Sequence, residues 1–131
     1  NEKSNAGSAY IFERNTNGTW NQTETQKIVA SDRDVLDEFG VSVAISGNYA
    51  IVTSDAEDHD ADGNNEKSNA GSAYIFERNT NGTWNQIKKI VASDRAAGDG
   101  FGSSVNIDGN YVIAGAWRRD SQTGLAYIFK G

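Results

Sequence analysis

The sequence contains no cysteine, no proline and no methionine. Without cysteine there is no disulfide framework and no thiol chemistry, which excludes a small disulfide-stapled domain and leaves secretion open. Without proline, a turn-rich chain must build its turns from its 14 glycines and from Asn-Gly and Asp-Gly pairs. Lacking methionine even at position 1, the chain reads as a processed or excised piece whose signal peptide, if any, lies out of view. Long apolar runs are missing too. Tyr49-Ala50-Ile51-Val52 is typical of the longest, far short of the ~20 residues a spanning helix needs. Nor is there a basic surplus: the net charge of −6 argues against nucleic acid as a partner, because phosphate binding needs a basic face. That acidity suits solubility, or cations held at carboxylate-rich loops.

What the sequence does have is repetition, and this outweighs its other signals. Residues 1–22 recur unchanged at 65–86. Lys27 to Arg33 recurs at Lys89 to Arg95, Phe39-Gly40 at Phe101-Gly102, and Gly47-Asn48-Tyr49 at Gly109-Asn110-Tyr111. A third Ala-Tyr-Ile-Phe stands at Ala126 to Phe129. Chance does not produce 22 identical residues; the chain carries a recent duplication.

Within one period the pattern is that of strands. Gly40 to Ile45 alternates small or polar with apolar residues, as a half-buried strand does. A tight turn at Ser46-Gly47-Asn48 leads into Tyr49 to Thr53, and an acidic loop then leads to Gly71 to Arg78. Asn79-Thr80-Asn81-Gly82 predicts a hairpin into a fourth strand from Trp84 to Val91. Four antiparallel strands per period, lettered A to D here, form one sheet with two faces to bury, so stacked copies must cover each other. Radial stacking leaves few open edges. The expected fold is therefore all-β, with propeller blades of four antiparallel strands; a β-solenoid or a sandwich is the alternative from the same hairpins. The chain reads C-D over residues 1–36, A-B-C-D over 37–95 and A-B-C over 96–131, all parts of one propeller. About two repeats cannot close a ring of ~4–8 blades, so the expectation is a fragment of a longer chain or a homo-oligomer.

These residues carry a resemblance. Asp37-Glu38-Phe39-Gly40-x-Ser42-Val43-Ala44-Ile45-Ser46-Gly47-Asn48, followed by Ala50-Ile51-Val52, resembles the FG-GAP repeat of integrin-α-like propellers. It is closer to the bacterial version, whose units end in a Gly-Ser-Ala-Tyr-x-Phe strand and an Asn-Gly-Thr-Trp hairpin, as Gly7 to Trp20 and Gly71 to Trp84 do. The resemblance implies a seven-bladed parent propeller, secreted or at the cell surface, with adhesion or ligand binding as its role. Two departures stand out. The Gly-Ala-Pro element is Thr53-Ser54-Asp55 in one unit and Gly115-Ala116-Trp117 in the other. The link between strands A and B is only Ser46-Gly47-Asn48 or Asp108-Gly109-Asn110, too short for the calcium loop that integrin-like units carry there.

One metal-like motif lies elsewhere, between strands B and C. Asp58, Asp60, Asp62 and Glu66 place oxygen ligands at relative positions one, three, five and nine, with Gly63 at six and the Asn64 carbonyl at seven. That spacing matches a loop wrapped around Ca²⁺; the alternative is a solvated acidic loop. In the second unit the same loop is shorter and holds Trp117, Arg118 and Arg119, which suit a sugar ring or a carboxylate-bearing partner. The bland counterpart has Trp117 packed between sheets and the arginines paired with Asp120. His59, the only histidine, has no nucleophile in its loop and reads as an exposed side chain; no Gly-x-Ser-x-Gly elbow or phosphate loop exists, so no catalytic residue is expected. Tyr10, Phe12, Tyr74, Phe76, Tyr127 and Phe129, with Trp20 and Trp84, are expected between sheets as core. Glycosylation sequons at Asn17, Asn21 and Asn81 fall largely in the Asn-Gly turns.

Two functions follow. One is a non-enzymatic extracellular or cell-surface adhesion module that recognises protein or glycan through rim loops. The other is a structural repeat whose ligand is a further copy of itself, assembling into a fibre or surface layer; near-identical units favour it, and the Trp117 loop favours the first.

Overall fold

A computed structural model describes residues 3–131. Nine strands form three antiparallel sheets among the described residues. The first sheet pairs β1 (Ala9–Ile11) with β2 (Gln26–Ile28). The second runs β3 (Val43–Ser46), β4 (Tyr49–Ser54), β5 (Ser72–Arg78) and β6 (Trp84–Ile90) in sequence order. The third holds β7 (Phe101–Asp108), β8 (Tyr111–Ala116) and β9 (Leu125–Lys130). The sheets thus hold two, four and three strands in chain order. Among the described residues the only helical assignment is one turn over Arg119–Gln122, whose Asp120 and Ser121 take left-handed backbone (φ 53° and 58°).

Strand alternation divides the second sheet between two cores. Ala50, Val52, Tyr74, Phe76 and Trp84 face the first sheet, where Ile28 and Ala30 meet them. Ile51, Ala73 and Ile90 face the third sheet, against Phe101, Ile107, Val112 and Ala114. Each seam is sealed by the phenylalanine that opens a unit. Phe39 stands edge-on to Tyr74 and Phe76 (centroids 5.4 and 6.1 Å), and Phe101 stands likewise to Tyr127 and Phe129 (5.6 and 5.9 Å). Its backbone also crosses the preceding sheet at a glycine. A Cβ on Gly71 would lie 2.1 Å from the Phe101 carbonyl oxygen, and one on Gly7 would lie 2.0 Å from that of Phe39. Only glycine permits so close an approach.

The expected aromatic core needs one correction. Tyr74, Phe76 and Trp84 are buried, but their sequence twins Tyr10, Phe12 and Trp20 are exposed. The reason is packing: among the described residues no phenylalanine equivalent to Phe39 caps Tyr10 and Phe12, and no sheet stands before the first. At the opposite face Ile113 and Ile128, the counterparts of Ile51 and Ile75, are exposed for the same reason.

Candidate functional site

Antiparallel order places the B–C loops and the D–A links together on one rim, with the A–B turns and C–D hairpins on the other. The first rim gathers most of the polar side chains of interest, in two neighbouring clusters.

In the first cluster the B–C loop over residues 55–71 fully buries one of its six carboxylates. Glu57 is fully buried. It accepts the Tyr74 hydroxyl at 2.9 Å and the His59 backbone N–H at 2.7 Å, with His59 Nδ1 at 3.3 Å and Lys89 Nζ at 3.4 Å. Lys89 donates at 2.7 Å to Asp32 and lies over the Tyr74 ring. Burial first, then the nearby Glu57 and Asp32 charges, push the Tyr74 hydroxyl far above its ordinary range. Next to this group sits Asp37, also buried, whose carboxylate accepts the Asp34 N–H while the Ser54 hydroxyl donates to its backbone carbonyl. Desolvation, with Glu57, Asp34 and Asp32 adding repulsion, raises Asp37 to about 6. The sequence did not single out Glu57. The signal available was Lys89, a lysine that recurs immediately before an apolar Ile-Val-Ala run and needs a buried counter-charge.

The acidic motif itself lies further out on this loop. Asp58 accepts the Asn69 N–H at 2.7 Å. Asp60 accepts the N–H groups of Asp62 and Asn64 at 3.0 and 2.9 Å and the Asn65 side-chain amide at 2.5 Å. Those donors, Asn65 foremost, hold Asp60 below the usual carboxylate range. Asp62, Asn64 and Glu66 are exposed. Asp58 and Asp60 therefore serve the loop's own backbone, as acidic side chains do in turns, and no group of three His, Asp or Glu side chains converges tightly enough for a metal ion among the described residues. Arg95 ties the loop down by donating to the Asn65 and Asp58 carbonyls, both at 2.7 Å. His59 remains partly exposed beside Glu57.

In the second cluster the three residues of the shorter loop separate. Trp117 is 52% exposed, and the Arg118 guanidinium lies 5.0 Å above its ring centroid, also exposed. Arg119 turns inward. It donates to Asp99 at 2.8 Å and to the Asp94 carbonyl at 2.8 Å, with Asp94 and Asp120 carboxylates at 3.3 and 3.4 Å. The bond to Asp99 is the main reason its own pKa rises. Tyr127 donates to Asp94 at 2.9 Å; burial and that bond push its hydroxyl up to about 12. Trp117 and Arg118 are thus left facing solvent while Arg119 holds the loop.

The family model of the FG-GAP repeat matches residues 22–76 and 84–129. The chain belongs to the FG-GAP repeat family. Among curated proteins no relative matches it. FG-GAP repeats are generally non-enzymatic and occur commonly in extracellular or surface proteins. In this FG-GAP chain the sheets supply propeller-type blades, and no helix is long and apolar enough to cross a membrane among the described residues. At Asn17 and Asn81 the asparagine side chains accept the N–H groups of Thr19 and Thr83 at 3.0 and 2.9 Å, so these Asn-Gly turns are held by the side chains that a glycan would occupy.

Proposed function

We propose that this chain is a non-enzymatic recognition module of an extracellular or cell-surface propeller, meeting protein or glycan through its B–C rim. The observation that carries this reading is the exposed Trp117 stacked under Arg118, on a loop locked from below by Arg119. A flat indole with a guanidinium on one face suits a sugar ring or a carboxylate-bearing side chain, and a loop fixed before binding loses little entropy on contact. Trp117→Ala abolishes binding on a glycan array or in a cell-surface pull-down while leaving the melting temperature within about 2 °C of wild type. Unchanged binding with reduced stability assigns Trp117 to packing instead.

Calcium at the 58–66 loop belongs to the same proposal. To bind it, Asp60 would release Asn64 and Asn65 and turn toward Asp58, Asp62 and Glu66, so binding reorganises the loop. Titration heat with Ca²⁺, and a melting temperature that falls on chelation, support the site. The lack of both removes it.

The exposed Tyr10, Phe12, Ile113 and Ile128 favour the structural reading, since two apolar faces of this kind invite further blades or copies. Light scattering after size exclusion separates the two: open-ended polymer supports structure, a discrete species recognition.

A further inference from the structure

In the seam between the first two sheets one lysine amine stands against two carboxylates of unequal exposure. Lys89, on β6, is buried, and its Nζ lies 2.7 Å from Asp32 Oδ2 and 3.4 Å from Glu57 Oε2. Asp32 belongs to the link that follows β2, and its side chain is 36% exposed. Glu57 is fully buried and fixed on its other sides by the Tyr74 hydroxyl at 2.9 Å and the His59 N–H at 2.7 Å. The amine also lies over the Tyr74 ring, 5.4 Å from its centroid. Beside Asp32, the link is pinned to β6 by Gln86, which accepts the Ser31 N–H at 3.0 Å and donates to the Ser31 hydroxyl at 2.8 Å. An amine and a carboxylate 57 residues apart in the chain are thus held in contact from both sides.

Contact of this kind favours bond formation for two reasons. Reacting groups held together behave as if at concentrations far above any reached in solution. Burying an ammonium and a carboxylate is also costly, and their attraction repays that cost only in part, whereas a neutral amide in the same place carries no such penalty. The second seam lacks the nucleophile. There Asp94, the sequence twin of Asp32, meets the Arg119 guanidinium at 3.3 Å and the Tyr127 hydroxyl at 2.9 Å. A guanidinium keeps its proton and does not act as an amine.

We propose that Lys89 and Asp32 condense into an intramolecular amide, with Glu57 carrying the protons, so that a covalent cross-link closes the first seam. Glu57 takes a proton from the Lys89 ammonium and delivers it to a carboxylate oxygen of Asp32. The freed amine attacks Asp32 Cγ, and the Nζ–Cγ bond forms. A second proton passes from the nitrogen to that same oxygen by way of Glu57, the Cγ–O bond breaks, and the oxygen leaves as water. One hydrogen stays on the amide nitrogen. One ammonium and one carboxylate thereby become one amide and one water, with no oxidant, reductant or further reactant. The open side of Asp32 gives the water a way out. Afterwards Glu57 keeps the Tyr74 hydroxyl and the His59 N–H as donors. The bond ties the first sheet to the second whatever the rim binds.

The test is the intact mass of the folded chain, read on purification and through a week at neutral pH and room temperature. The expected result is a mass lower by one water. Trypsin should then release residues 28–33 joined to 89–95, because an acylated Lys89 is no longer cut. Lys89→Arg and Asp32→Ala should keep their full mass. Glu57→Gln, which keeps the shape but carries no proton, should condense at least about a hundredfold more slowly. Should that variant fail to fold, the wild-type mass and the linked peptide decide alone. The proposal is overturned by a wild-type chain that keeps its full mass, which leaves an ion pair only. Water loss in Lys89→Arg, or an equal rate in Glu57→Gln, overturns it too. So does water loss that maps to Asp62, Asp99 or Asp108, where the following glycine lets the backbone close a succinimide.

Discussion

The two units solve the same electrostatic problem with opposite charges. Each D–A link brings two carboxylates to a seam, Asp32 and Asp37 in the first, Asp94 and Asp99 in the second. In the second seam one guanidinium from the B–C loop, Arg119, reaches both acids. In the first seam the B–C loop brings another acid, Glu57, and the cation comes from strand β6 as Lys89, which reaches Asp32 and Glu57. Asp37 is left with the Asp34 N–H, and desolvation first, with the Glu57 charge adding to it, raises its pKa to about 6. A buried ion network is therefore judged by which member is left over, not by how many pairs it contains.

The comparison breaks most severely at Glu57. Glu57→Ala strips Lys89 and the Tyr74 hydroxyl of a buried partner at once, and truncating one member of such a network costs about 3–5 kcal/mol. Urea unfolding should show that loss. A cost below about 1 kcal/mol would mean that water reaches Lys89 and that the first seam is looser than the second. The next effect is smaller and depends on pH. Because burial raises Asp37 from 3.8 to about 6, the folded chain holds its proton more tightly than the unfolded one. The stability this contributes is complete below pH 3.8 and is lost as pH rises to about 6. Asp37→Asn keeps an acceptor for the Asp34 N–H and removes the charge. It should raise stability by about 1–3 kcal/mol at pH 7 and by little at pH 4. Equal gains at both pH values would show that Asp37 is not the proton-linked group.

How much of this was legible is answered by the duplicated segment. Tyr10 and Tyr74 lie in identical 22-residue stretches, yet one is 51% exposed and the other 0%. Trp20 and Trp84 differ as widely, at 62% and 6%. Local pattern therefore identified the strands, their order and the alternating faces, because these follow from propensity and turn chemistry. It did not settle burial, which depends on the sheet in front. The same limit applies on the rim. Spacing drew attention to Asp58, Asp60 and Asp62, whereas the fully buried carboxylate is Glu57, chosen by Lys89 on β6 and Tyr74 on β5, about thirty and seventeen residues away. In the second loop the three residues Trp117, Arg118 and Arg119 looked alike as ligand contacts. The structure divides them because Asp94 and Asp99, distant in sequence, claim Arg119 alone.

The finest distinction between the units lies in the backbone of the two D–A links. Leu36 and Glu38 take left-handed φ of 69° and 58°, where the second unit has Gly98 and Gly100 at 80° and 63°. A side chain in that region costs about 1–2 kcal/mol, while glycine brings back about 0.4–1 kcal/mol of unfolded-state entropy. Leu36 is exposed and leaves little packing behind, so Leu36→Gly should stabilise the chain by about 0.5–1 kcal/mol. The reverse change, Gly98→Leu, should cost a similar amount, and through the backbone alone, since a Cβ there has no neighbour within 4 Å. Urea midpoints of the two variants should move in opposite directions by similar amounts. If Leu36→Gly instead destabilises, Leu36 makes a contact that Gly98 lacks, and the two links differ in packing as well as in strain.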